Sequence, residues 1–116
     1  MDDPLFKFIL LVPLCYNDGR KVPKSVILDF EDRLFFLGDG FTDKGTVRGS
    51  YRMADGKKQI DHSAEYWIWL KEESIPELKR TVAELGFKLG QESMYLESVP
   101  STLDFVPPQP PKGGSS

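Results

Sequence analysis

The sequence predicts an α+β fold of the ferredoxin-like, split β-α-β-β-α-β type: an antiparallel four-stranded sheet with two helices on one face. Three observations predict it. Strand-like and helix-like periodicities alternate in that order along the chain. The first and third strand candidates are the most apolar, as the two central strands of this arrangement must be. The second and third strands are joined by Asp55-Gly56, the strongest short hairpin signal in the sequence.

The first strand is Phe6-Lys7-Phe8-Ile9-Leu10-Leu11-Val12. Aromatic and branched residues fall on both parities, which predicts burial on both faces. Pro13 ends it, because proline cannot donate to a central ladder, and Asn17-Asp18-Gly19 is a turn. Pro23 suits a first helical turn. From there Val26, Ile27, Phe30, Leu34 and Leu37 recur at helical spacing, and Gly38-Asp39-Gly40 stops the helix.

The second strand, Thr46 to Met53, alternates, and the third runs from Lys58 through Leu70. If Asp55-Gly56 is a two-residue loop, Arg52 lies opposite Gln59, Ser50 opposite Asp61 and Arg48 opposite Ser63. Directly opposed side chains share a face. One face then holds Arg48, Ser50, Arg52, Asp61, Ser63 and Glu65 and continues into Trp67 and Trp69. The other holds Val47, Tyr51, Ile60, His62, Ala64, Tyr66, Ile68 and Leu70, and is the expected core face. A longer loop reverses the pairing, since a slip of one residue flips every side chain.

Ser74-Ile75-Pro76-Glu77 has the pattern of a capping box. Ile75, Leu78, Val82, Leu85 and Leu89 form the apolar stripe of the second helix, and Gly90 is its stop. Met94 to Val99 is the last strand, with a continuation towards Phe105 open. Residues 1–106 are expected to form a single domain. Residues 107–116, rich in proline, glycine and serine, are expected to be a disordered or extended tail.

Composition narrows the function. A length of 116 residues suits one domain, and 40% hydrophobic with 28% charged residues is that of an ordinary soluble protein. A net charge of −3 lacks the basic footprint of nucleic-acid or anionic-membrane binding. Cys15 is the single cysteine, so no internal disulfide and no thiolate zinc cluster can form. The apolar run Phe8–Leu14 is too short to span a bilayer. It follows acidic residues, without a small-residue cleavage site, and Val12-Pro13-Leu14 lacks the small residues expected before a lipid-modified cysteine. The expectation is a cytoplasmic protein with no membrane attachment.

No nucleotide-binding glycine motif, P-loop or nucleophile elbow is present. His62 is the lone histidine, and neither it nor Cys15 has the partners of a metal site or an activated nucleophile. No cofactor or metal is expected; a magnesium site would need Asp61, Glu65 and Glu92 to converge. Trp67 and Trp69 are the pair to explain, because aromatics of that size are rarely left in water side by side. Three readings stay open: open sheets packed face to face in a homodimer, a stacking platform for a small ligand, or core packing with the faces reversed. Arg48 and Arg52 beside them, with Glu65, would suit a small anionic or aromatic ligand.

The second half also carries Gly40-Phe41-Thr42, Gly45, Gly49-Ser50-Tyr51-Arg52, Asp55-Gly56 and, at the end of the second helix, Gly90-Gln91-Glu92-Ser93. In this order they resemble a bacterial domain-of-unknown-function family with G-F-T, G-x-[WY]-R and G-Q-E-S motifs. The resemblance spans residues 38–106. It implies a small α+β protein of unassigned activity and singles out Arg52, Gln91 and Glu92. Many members look like secreted lipoproteins, from which this N-terminus departs. The binding residues expected are therefore Arg48, Arg52, Glu65, Trp67, Trp69 and Glu92, in a module that homodimerises through its open sheet. The alternative is a ligand-binding protein or enzyme with an Arg/Glu site beside the tryptophans.

Overall fold

The computed structural model describes residues 4–113. The acidic start at Met1-Asp2-Asp3 and the last tail residues, 114–116, lie outside them. The elements are β1 (Leu5–Pro13), α1 (Lys24–Gly38), β2 (Thr42–Arg52), β3 (Lys58–Lys71), α2 (Ile75–Lys88) and β4 (Tyr95–Val99). The fold is the ferredoxin-like α+β arrangement, with sheet order β2-β3-β1-β4 and every neighbouring pair antiparallel. β1 and β3 are central, in keeping with their apolar composition.

Both helices cover one face of the sheet. Phe8, Leu10 and Val12 of β1 and Tyr66, Ile68 and Leu70 of β3 point into that layer and are almost fully buried. Phe30 and Leu34 of α1 meet them, as do Leu78, Val82 and Leu85 of α2 with Leu89 just beyond it. Tyr66 spans the layers. Its ring packs edge-on against Phe30 and Phe41, and its hydroxyl donates to the Glu31 carboxylate at 2.6 Å. Gly38 lies so close to β3 that a Cβ there would stand 2.8 Å from the Ile68 side chain and 3.2 Å from the Trp69 carbonyl oxygen. A bare backbone is what lets α1 end against the strand.

Three local expectations change. β1 is buried on one face only; Lys7, Ile9 and Leu11 are half-buried on the face the helices leave open. The capping box does not close. A 3-10 turn at Glu72–Ser74 leads into α2, so Ser74 is already near-helical (φ −90°, ψ −9°) and does not take the extended backbone of a capping residue. Third, β4 ends at Val99 and residues 100–111 have no regular structure. The other end of α2 follows expectation. Gly90 adopts φ 68°, its amide donates to the Phe87 carbonyl, and the Gln91 amide reaches back to Gly86, a Schellman ending.

The β2–β3 hairpin is longer than the sheet that supports it. β1 pairs with β3 from Ser63 to Lys71, and the Leu14 amide just beyond β1 donates to the His62 carbonyl, so the arm from Lys58 to Asp61 pairs with β2 alone. This arm and the tail project, giving a radius of gyration of 18.0 Å where a compact chain of this length has about 13 Å.

Candidate functional site

The open face of the sheet is built from alternate residues of all four strands. Antiparallel register sets Lys7 between Trp69 and Val99, Ile9 between Trp67 and Glu97, and Leu11 between Glu65 and Tyr95. Trp67 and Trp69 stand two residues apart on β3 and pack edge to face, ring centroids 6.4 Å apart. The Lys7 ammonium lies 3.6 Å from the Trp67 ring centre and 5.3 Å from that of Trp69, and the Lys44 ammonium lies 4.3 Å from the Trp67 ring. The negative ring face attracts each cation. Trp67 Nε1 donates to the Glu65 carboxylate at 2.6 Å. Trp69 Nε1 is buried and has no acceptor among the described residues. Among the described residues, neither lysine has an ion-pair partner. The centre of this face thus carries two ammonium groups, Lys7 and Lys44, with the Glu65 and Glu97 carboxylates beside them, over an apolar floor.

Glu65, Trp67 and Trp69 are brought together as expected; Arg48 and Arg52 are not. The hairpin loop has three residues, Ala54–Gly56, closed by the Met53 amide donating to the Lys57 carbonyl at 2.8 Å, with Gly56 at φ 82°. Arg52 therefore opposes Lys58, Ser50 opposes Ile60, and Arg48 opposes His62. His62 shares its face with Ala64 and Tyr66, so both arginines lie on the helix side of the hairpin, away from the tryptophans. Val47 and Tyr51, expected on the core side, move to the open side. A bulge between Asp43 and Thr46 shifts the register once more towards the base of β2. It is turned by Gly45 (φ 85°), whose amide the Asp43 carboxylate accepts at 2.8 Å, and it carries Lys44 over Trp67.

Glu92 is elsewhere again, at a cleft of about 770 Å³ at the end of the sheet. Three segments enclose it: the loop after β1 (Cys15–Gly19), the hairpin arm (Tyr51, Met53 and Gln59–His62) and the turn between α2 and β4 (Gln91–Ser93). Asn17 fastens the first to the third, its amide donating to the Gly90 carbonyl at 3.1 Å and accepting from the Gln91 side chain at 3.1 Å. Asn17 and Gln91 thus secure the turn. Asp61 and Glu92 both line the cleft, along with the rings of Tyr16 and Tyr51, and no lysine or arginine does. Glu65 is held on the open face by Trp67, so the three carboxylates do not converge. Among the described residues, no group of histidine, cysteine or acidic side chains is placed to hold a metal ion.

Sequence reasoning missed Lys7, Lys44, Tyr16 and Asn17. Lys7 carried a signal, as the one charge inside an apolar strand. Lys44 depends on a bulge that only Gly45 hints at.

No family model matches the chain, and no curated protein matches it. Solved structures do. The divalent cation tolerance protein CutA1 of Thermus thermophilus superimposes with a TM-score of 0.65 at 14% identity, over 87% of both chains. CutA1 of a psychrotrophic Shewanella bacterium gives 0.66 at 12% identity, over 90% of this chain and 88% of that one. A phage SAM lyase in complex with S-methyl-5'-thioadenosine gives 0.65 at 17% identity, over 85% and 83%. At these identities the likeness is one of fold. Among the described residues no helix is long and apolar enough to cross a membrane.

Proposed function

We propose that the chain is a binding module that pairs with a second copy of itself through the open face of its sheet. The observation that carries this reading is the uncovered centre of that face. Trp67, Trp69, Ile9 and Leu11 lie side by side there, and the buried Trp69 indole N–H lacks the acceptor that buried donors nearly always have. A second copy would supply apolar cover for the rings and carboxylates for Lys7 and Lys44. The projecting hairpin supports the same reading. Tyr51 and Met53, on the open side, are 49% and 43% exposed on an arm that two strands alone hold marginally in water. With a single cysteine and no disulfide, we place the protein in the cytoplasm. Sedimentation equilibrium at tens of micromolar should give twice the chain mass. Trp67→Ser should weaken association at least tenfold while preserving far-UV circular dichroism. A wild-type chain that stays monomeric would refute the reading.

The end cleft favours a second reading, binding of a small ligand. Tyr16 and Tyr51 offer aromatic faces, and Asp61 and Glu92 offer acceptors for hydroxyls or a cationic group. The G-Q-E-S motif shared with the bacterial family we infer by resemblance ends in this cleft. The lyase of similar fold, solved in complex with S-methyl-5'-thioadenosine, suggests an adenosine thioether as the first compound to try. Calorimetric titration with that compound should show saturable binding that Glu92→Gln reduces at least tenfold. Absence of heat and of any tyrosine-fluorescence change at millimolar ligand would remove this reading.

A further inference from the structure

We propose that the segment Asp104-Phe105-Val106 of one copy docks on the open sheet face of the other. The inference rests on the pairing proposed above and names the part of the partner that fills the centre of the interface. Two halves of a contact are present in the chain and do not meet within it. On the open face, Lys7 and Lys44 have no ion-pair partner among the described residues and the buried Trp69 Nε1 has no acceptor. On the segment, Phe105 is 84% exposed, Val106 is 82% exposed, and Asp104 has no cationic partner among the described residues. An aromatic side chain is thus flanked by a carboxylate, opposite an aromatic pair flanked by two ammonium groups. Asp104 thus matches the two ammonium groups beside Trp67 and Phe105 matches the aromatic pair, on a face that also carries the Glu65 and Glu97 carboxylates.

The topology makes the exchange short. Val99, the last residue of β4, is paired with Lys7, so the chain leaves the sheet at the rim of the open face. Pro100 ends the ladder there. From Pro100 to Phe105 an extended chain spans up to about 20 Å, enough to cross from one rim to the centre of a facing sheet. With two copies packed face to face, each segment would reach the other's tryptophans. Phe105 would lie against Trp67 and Trp69, with the Asp104 carboxylate between the lysines.

The test uses the full chain. Phe105→Ser and Asp104→Lys should each raise the dissociation constant for self-association at least tenfold, and Phe105→Ser should shift tryptophan emission to the red only at concentrations where wild type is paired. Adding Lys7→Glu to Asp104→Lys should recover a large part of the loss. Wild-type pairing that Trp67→Ser breaks but both segment variants leave within twofold would overturn the docking and leave the open-face reading standing. An emission shift independent of protein concentration would mean that the segment lies on its own sheet, which also overturns the proposal. A monomeric wild type removes the open-face reading and this one with it.

Discussion

β1 contributes to both faces of the sheet with similar residues, and their fates differ. Phe8, Leu10 and Val12 are 1–4% exposed under the helices, whereas Ile9 and Leu11, equally apolar and one position away, stay half-buried. The same holds on β3, where Tyr66, Ile68 and Leu70 are sealed and Trp67 and Trp69 are not. Apolar composition on both parities therefore does not report two covered faces. It reports one face that the chain covers itself and one that it leaves partly open. The covered face is made for stability and satisfies its polar groups internally, as Tyr66 does with Glu31. Among the described residues, the open face leaves an indole N–H without an acceptor and two ammonium groups without a carboxylate in salt-bridge contact.

Substitutions can separate the two faces. The largest effect is expected from Ile68→Ala, a cavity at a site with no exposure. It should cost about 2–5 kcal/mol in urea unfolding, whereas Ile9→Ala on the open face should cost much less in the monomer. An equal loss at both sites would erase the distinction. Gly38→Ala comes next. Its methyl would press on Ile68 and on the β3 backbone, so a loss of about 1–3 kcal/mol is expected.

Tyr66→Phe should cost about 1–2 kcal/mol at neutral pH, since it strands the Glu31 carboxylate. It also tests a pH dependence. Burial, and then the Glu31 hydrogen bond, push the Tyr66 hydroxyl far above its ordinary value. The native state therefore keeps a proton that the unfolded chain gives up near pH 10. Stability should fall as pH rises above that point, by up to about 1.4 kcal/mol per pH unit from this group. The Phe variant should show a flatter alkaline limb in parallel urea titrations; an unchanged slope would assign the loss to other groups. The smallest effect is expected from Asn17→Ala, which frees the exposed loop after β1 from the α2–β4 turn at about 1 kcal/mol or less. Hydrogen exchange at Gln91 and Glu92 should report it before global unfolding does.

Much of the covered face was legible in the sequence. The alternation through Ala64–Leu70 and the helical stripe from Leu78 to Leu89 each repeat one spacing over several turns or pairs, and both helices and the strand order follow from them. The hairpin arm was not legible in the same way. Asp55-Gly56 is compatible with a two- or a three-residue loop, and the difference of one residue carried Arg48 and Arg52 to the other side. Glu92 was legible as a motif residue, but its neighbours were not. The loop after β1 and the hairpin arm reach it from positions far apart in the chain, and no local spacing encodes their meeting. Lys44 shows the same limit, since its position over Trp67 follows from a backbone irregularity.

That irregularity at Asp43–Thr46 works as a change of reading frame within one strand. Residues before it and residues after it obey opposite parity rules, although the ladder continues through both. Deleting a single residue at Gly45 would therefore set Lys44 opposite Glu65 in an unbroken ladder and leave the side chains of the outer arm on the faces they now have, so a change of length at this glycine is absorbed where it occurs.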